Sequence, residues 1–274
     1  MPELPEVQSI CNSLAESIIG EVIHRVIVRE SGLRWEVDAH SLNRLVGGRC
    51  VSSIGRRAKY ILVHLEGGVI LMIHLGMSGR LGLHPSGSPL AKHDHVVFEL
   101  GGGRELRYND PRRFGMVEAF EKSHYWTHPR LVHLGVEPLE GEFEGEVLYR
   151  LSRKSRVAVK SFIMDARRVV GVGNIYASEA LFAAGINPKT RAGRLGLSRC
   201  VRLVECIKEI LNRAVLSGGT TLRDFANLDG ESGYFSEQLQ VYGREGEGCP
   251  GCGSGIRRVV QSNRSTYYCV KCQR

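Results

Sequence analysis

The sequence predicts an α+β chain of several domains: an N-terminal helix with an antiparallel β-sandwich or barrel, then a helical region, then a small C-terminal hairpin built around four cysteines. Three observations carry this. Apolar residues recur at helical spacing up to Gly20, then switch to short runs as far as about residue 120. Helical spacing returns over residues 146–217. Cys249, Cys252, Cys269 and Cys272 form the pattern C-x2-C-x16-C-x2-C. With 274 residues, 42% hydrophobic and 24% charged, the composition is globular and argues against disorder or fibrous repeats. One core is strained at this length, so two or three domains are expected.

Residues 5–19 read as an amphipathic helix. Val7, Ile10, Cys11, Leu14 and Ile18 share a face, Pro5 suits the first turn, and Gly20 stops it. Six short runs follow: Val22–Val28, Tyr60–Leu65, Val69–Leu75, His95–Leu100, Glu105–Tyr108 and Met116–Phe120, separated by Gly, Asn and Asp. Residues 1–130 are therefore taken as one domain. The stretch from His124 to Gly145 holds two prolines and many acids, and a linker is placed at 131–145. A helical domain is placed at 146–234. There Asn174 is expected to cap a helix ending at Gly185, and Ser198 a longer one that buries Cys200, Leu203, Val204, Ile207, Ile210 and Leu211. Residues 218–248 are glycine-rich, and a loop of that size is more often functional than decorative. The hairpin takes residues 235–274.

Residues 1–150 hold 17 Lys and Arg against 19 Asp and Glu, whereas residues 151–274 hold 20 against 10. The basicity thus lies wholly in the second half, which points to a polyanion partner, nucleic acid first. No apolar run is long enough to span a bilayer. The opening Met1-Pro2-Glu3-Leu4-Pro5-Glu6 has neither a basic nor an apolar targeting region, so a cytosolic location is expected.

Two C-x-x-C knuckles present four thiolates to one ion in the spacing of a structural zinc site. Disulfides are the competing reading, which a cytosolic setting disfavours. Ile256–Gln261 and Ser265–Cys269 would be the hairpin arms, with Ser262-Asn263-Arg264 near the tip. Cys11, Cys50, Cys200 and Cys206 are scattered and are expected to pack as small hydrophobes.

At the other end, Pro2 has a small side chain that favours removal of Met1. The chain would then begin with a secondary amine. An α-amino group titrates near pKa ~8, far below lysine, so much more of it is neutral and nucleophilic at pH 7. Condensed with a sugar aldehyde, a secondary amine gives an iminium that stays cationic and acidifies the adjacent carbon. A plain neighbour of the initiator is the simpler reading of Pro2. Glu3 and Glu6 could move protons beside such an amine; Glu6, in the first helical turn, could equally serve the helix dipole. Asp110-Pro111-Arg112-Arg113-Phe114-Gly115 and Gly76-Met77-Ser78-Gly79 are turns with apolar tips. Arginines that grip a nucleic acid while an apolar wedge enters its stack have this make-up, as do ordinary hairpin loops. Gly171-Val172-Gly173-Asn174 opens a helix and could hold an anion, with Arg153, Lys154, Arg156, Lys160, Arg167 and Arg168 just upstream. His93-Asp94-His95 lacks a third metal ligand and suits phosphate contact or polar surface.

Together these motifs resemble the bacterial formamidopyrimidine-DNA glycosylase (Fpg) family. The likeness runs through Met1–Val7, Arg56–Tyr60, His74–Gly79, Lys92–His95, Asp110–Gly115, Gly171–Glu179, Gly218–Leu222, Gly233–Phe235, Val241–Arg244 and the four-cysteine tail. It implies a helix plus β-sandwich, a helix-two-turns-helix domain and one structural zinc in a hairpin. The implied activity is excision of oxidised purines, 8-oxoguanine and formamidopyrimidines, from double-stranded DNA, with β- and δ-elimination at abasic sites. The resemblance makes Pro2 the Schiff-base nucleophile and Glu3 the proton donor, with Glu6 beside them. It makes Lys59 a proton donor in β-elimination and Arg264 a phosphate grip that assists δ-elimination. Asn174 would bind a flanking phosphate. Met77, Arg112 and Phe114 would fill the hole left by an everted base, with Arg112 facing the orphaned cytosine. His93, Arg113, Lys154 and Arg156 would contact DNA, and Thr220–Phe235 would close over the lesion. Ser155 interrupts the basic run, and Glu231-Ser232 departs from some relatives. An endonuclease VIII-like enzyme for oxidised pyrimidines and a non-catalytic zinc protein that binds damaged DNA are the competing functions. A monomer is expected.

Overall fold

A computed structural model describes residues 2–220 and 234–274. These residues fall into two compact units, one of 2–132 with 217–220 and Tyr234, the other of 133–216 with 235–274.

The first unit begins with α1 (Leu4–Ile18) and β1 (Val22–Val28), followed by α2 (Ala39–Val46), β2 (Arg49–Arg57), β3 (Tyr60–Leu65) and β4 (Val69–His74). It continues with β5 (Arg80–Pro85), β6 (Asp94–Leu100), β7 (Arg104–Asn109) and β8 (Met116–Glu121). The antiparallel strand order is β5-β7-β6-β1-β2-β3-β4-β8. β1 and β2 meet through only two residue pairs, Val22 with Cys50 and Ile23 with Arg49. That short corner lets β5-β7-β6-β1 and β2-β3-β4-β8 share one core, in which Val26, Val96, Phe98 and Leu106 join Val51, Ile61, Val63, Leu71 and Ile73. The apolar stripe of α1, Val7 to Ile18, is buried in the same core. Each such side chain contributes about 2 kcal/mol relative to exposure. The sandwich and the helix are as the sequence predicts.

Three elements were not legible in the sequence. β2 runs Arg-Cys-Val-Ser-Ser-Ile-Gly-Arg-Arg and fully buries only Val51. β5 is an edge strand ending in Pro85, where a missing N–H costs nothing. α2 is short, buries only Leu42 and Val46, and is capped by Asp38, whose carboxylate accepts the Ser41 N–H at 3.0 Å.

The second unit holds α3 (Gly145–Ser152), α4 (Val159–Ile163), α5 (Asn174–Ala183), α6 (Leu197–Leu216), β9 (Arg257–Gln261) and β10 (Arg264–Tyr268). α5 is buried from Ile175 to Leu181, and α6 buries the stripe from Cys200 to Ala214. Two capping expectations are corrected. Gly173 is the residue before α5, so Asn174 lies inside the helix and its side chain turns to other partners. Ser198 likewise lies inside α6, which starts at Leu197.

The chain also divides differently from the boundaries drawn on sequence. The stretch placed as a linker is tied into the second unit from residue 133 onward, with Val136 bridging Val169 and the Gly135 N–H donating to Ala166 O at 2.8 Å. Residues 235–274 belong with the helices rather than forming a domain of their own. Residues 221–233, part of the loop expected to close over a lesion, lie outside the described residues. Among those described, no helix is long and apolar enough to cross a membrane.

Candidate functional site

In the first unit the site starts at the head of α1. Pro2 and Glu3 are buried there, and Glu3 is the residue before the first helical turn. Glu3 and Glu6 form a reciprocal capping box, in which Glu6 Oε2 accepts the Glu3 N–H at 2.7 Å. Glu6 Oε1 accepts the Thr220 N–H at 2.7 Å. Thr220 in turn bridges Tyr234, and the Tyr234 N–H reaches Ser217 O at 3.1 Å. Glu6 thus ties the base of the glycine-rich segment to the turn that carries Pro2 and Glu3. The proton-moving role weighed for it gains no support from this geometry, because both its oxygens hold backbone.

β2 lies along α1. The Cys11 thiol meets Gly55 O at 3.4 Å, and Arg56 donates to Gln8 Oε1 at 3.0 Å and to Ala58 O at 2.9 Å. As β2 advances, its helix partners run back toward the N-terminus, which brings the Ala58-Lys59 turn toward the head of α1. Ala58 has φ +54°, as a two-residue hairpin demands. Lys59 acts electrostatically on His74, which pairs across the sheet with Tyr60. Burial, then Lys59 and Arg34, push His74 down to about 4, so the ring is neutral and its Nδ1 accepts the Gly76 N–H at 3.0 Å.

Gly76 opens the turn that carries Met77, which is 39% exposed between buried neighbours. The turn after β7 carries Arg112 and Phe114, both exposed, with the guanidinium 4.9 Å from the ring centroid. Arg113 is engaged by Glu30 at 2.7 Å. Beneath these turns Asp110 is fully buried, and burial with its carboxylate raises the Tyr108 phenol above its ordinary range. His93 is half-buried and stacks edge-on against His95, while Asp94 and His95 are buried and engaged locally.

In the second unit Asn174 Nδ2 donates to Ser265 O at 2.9 Å, and Lys160 Nζ donates to Asn174 Oδ1 at 2.6 Å. Arg264 stands exposed at the start of β10, just past Ser262 and Asn263, whose φ values of +48° and +60° make the tight hairpin turn. A cavity of about 240 Å³ beside it is lined by Lys160, Ser161, Met164, Asp165, Gln261, Ser262 and Arg264. Lys154, at φ +62° after α3, and Arg156 are both exposed.

The four tail cysteines are all unoxidised, and their sulfurs lie within 4.8 Å of one another. Cys249 and Cys272 are 3.8 Å apart, Cys252 and Cys269 3.5 Å. Sulfurs at Zn–S distance around a tetrahedral ion stand about 3.8 Å apart, so the cluster fits one metal ion and no disulfide.

Three residues that the structure places in the supports of the site were not singled out in the sequence. In the sequence Lys160 is only one member of the basic run beside the Gly171–Asn174 anion turn. His74 looked like the end of a strand. Glu179 is buried on α5 and accepts the N–H groups of Gln240, Val241 and Tyr242 at 2.8, 3.0 and 2.8 Å. Burial raises its carboxyl although the three amides pull it down. The single charged residue between Ile175 and Ala183 was the available signal.

A helix-headed sandwich bearing a buried proline and acid, joined to a helical unit with a four-cysteine hairpin, defines a glycosylase of the base-excision type. The N-terminal domain of formamidopyrimidine-DNA glycosylase matches residues 1–117, and its H2TH domain matches residues 134–226. The formamidopyrimidine-DNA glycosylases of Marinobacter nauticus and Thioalkalivibrio sulfidiphilus are each 50% identical over the full length of both chains. The MutM (Fpg) protein of Thermus thermophilus superposes with a TM-score of 0.89 at 38% identity, over 99% of this chain and 98% of that one. The Lactococcus lactis Fpg bound to abasic-site DNA does so at 0.92 and 31%, over 99% of each chain. The chain belongs to the formamidopyrimidine-DNA glycosylase family.

Proposed function

We propose that this DNA glycosylase removes oxidised purines, chiefly 8-oxoguanine and formamidopyrimidines, from double-stranded DNA and then cuts the strand at the abasic site by β- and δ-elimination. The observation that carries it is the buried Pro2-Glu3 pair, held at the head of α1 by the Glu3–Glu6 box.

Chemistry at a glycosidic carbon requires the nucleotide outside the stack. Met77, Arg112 and Phe114 fill the space it leaves, Arg112 facing the unpaired cytosine. With Met1 removed, the Pro2 nitrogen attacks C1′, the bond from C1′ to the base breaks, and Glu3 protonates the sugar-ring oxygen as the ring opens. The resulting iminium draws electrons from C2′. Loss of a C2′ proton expels the 3′ phosphate, a second elimination expels the 5′ phosphate, and water frees the amine. Lys59 supplies a proton during β-elimination and Arg264 steadies the departing phosphate. Asn174 binds a flanking phosphate; His93, Lys154, Arg156 and Arg113, once released from Glu30, add to the grip. The basic second half gives the sequence-independent part of that grip. Cys249, Cys252, Cys269 and Cys272 hold one zinc ion, which secures the hairpin and takes no part in the chemistry. The enzyme works as a monomer in the cytosol.

Borohydride trapping on abasic-site DNA, followed by mass spectrometry of the adduct, tests this. An adduct on Pro2 is expected, and none on the native N-terminus leaves only a DNA-binding protein. Release of 8-oxoguanine should exceed release of thymine glycol; the reverse order identifies an enzyme for oxidised pyrimidines.

A further inference from the structure

We propose that Asp110 is a positioning residue for base extrusion, its buried carboxylate tying the Met77 turn to the Arg112–Phe114 turn so that both enter a duplex as one body. This rests on the reading of those tips as duplex-inserting, and it adds what sets their spacing.

Four donors converge on the carboxylate. Oδ1 accepts the Ser78 hydroxyl at 2.7 Å and the Arg112 N–H at 3.3 Å. Oδ2 accepts the Gly115 N–H at 2.8 Å and the Tyr108 hydroxyl at 3.2 Å. Ser78 follows Met77, while the Arg112 and Gly115 amides lie to either side of Phe114. The Arg112 N–H is also within 3.3 Å of Ser78 Oγ, a second link between the turns. The Asp110 carbonyl accepts from the Arg113 N–H at 3.2 Å and from His95 Nε2 at 2.8 Å, which fixes the strut to β6. A side chain at Gly76 or Gly115 would strike the Phe114 backbone or the Tyr108 hydroxyl, so the two turns touch through bare backbone.

This arrangement sets three exposed groups over a rigid base. Asp110 is 0% exposed, whereas Met77 is 39% and Phe114 44% exposed. A carboxylate suits the place because it only accepts, and every neighbour on it donates. Asn is the same size but turns an NH2 toward two of those donors. Side chains that must enter adjacent places in a stack profit from fixed spacing, since independent loops would each be ordered at the moment of insertion.

The test uses the full-length protein and its Asp110→Asn and Ser78→Ala variants. Single-turnover release of 8-oxoguanine from duplex DNA is compared with cleavage of a single-stranded abasic oligonucleotide, which has no stack to open. A 2-aminopurine beside the lesion reports unstacking. Asp110→Asn should slow duplex excision and the fluorescence rise together by at least about tenfold, while single-strand cleavage stays within about twofold. Ser78→Ala, which removes one bond, should show the same pattern in smaller measure and decides the matter if Asp110→Asn does not fold. Equal losses on both substrates, or an unchanged duplex rate, overturn the proposal. If the unmodified protein leaves abasic DNA uncut, the chemistry proposed for Pro2 is wrong, and the fluorescence rise still tests the tie.

Discussion

The Lys160 ammonium donates to Asn174 Oδ1 at 2.6 Å, and the same nitrogen reaches Ser265 O at 3.0 Å and Thr266 Oγ1 at 2.9 Å. One buried cation therefore joins α4, the start of α5 and β10; it holds the Asn174 side chain directly and the β10 backbone just after Arg264, the two residues proposed above for phosphate contact. Lys160→Met should strand these acceptors and cost about 3 kcal/mol. DNA affinity should fall while the metal content holds at one ion per chain. Urea melts, a binding titration and metal analysis check this, and an affinity that survives unchanged removes Lys160 from the site.

Pro2 and Glu3 should separate by step. Pro2→Gly should reduce borohydride trapping to near background while DNA binding persists; lost binding would mean that Pro2 is structural. Glu3→Gln should slow base release by about a hundredfold or more. An N-terminal tag should abolish strand cleavage by placing the amine in a peptide bond, and retained cleavage would exclude Pro2 as nucleophile.

Cys249→Ser should release the metal and weaken DNA binding, because Cys249 is buried beside Val241, Ile256 and Cys269 in the small core of the hairpin. Metal analysis of the purified variant reads this directly, and an unchanged content would refute the site. Zinc, rather than another divalent ion, is the expected metal.

The charge placement predicts a salt dependence. Log affinity should fall with log salt by about 0.9 for each phosphate neutralised. The variants Lys154→Ala and Arg156→Ala, both at exposed positions, should each lower that slope by about one if their side chains meet phosphate. A flat dependence in the unmodified protein argues against a phosphate grip.

His74 predicts acid sensitivity. Its folded pKa of about 4 lies below the unfolded 6.5, so the unfolded chain takes up the proton first as pH falls. The stabilisation is complete above about pH 6.5 and is lost as pH drops through 4, a change on the order of 3 kcal/mol. His74→Asn should flatten this part of the pH profile between pH 7 and 4.5. Parallel profiles for the two proteins would show that His74 is not the group responsible.

What could be read along the chain was whatever depends on near neighbours. The stripe from Val7 to Ile18 makes α1 wherever a core is offered. Two C-x-x-C knuckles bring four thiolates within reach of one ion, and apolar runs such as that from Val69 to Ile73 form strands through their own pattern. The Pro2-Glu3 pair and the apolar tips at Met77 and Phe114 were likewise visible as motifs. Tertiary structure alone decided the rest. β2 and β5 are strands because partners supply their hydrogen bonds, which their mixed composition does not announce. Asn174 is not a cap because Lys160, fourteen residues earlier, claims its carbonyl. Glu6 is committed to backbone because Thr220 arrives from a distant segment, and Asp110 is a strut because Ser78 comes from another turn. For Asn174, Glu6 and Asp110 the deciding partner comes from another element, so only burial in a common core brings donor and acceptor to hydrogen-bonding distance and makes leaving them unpaired costly.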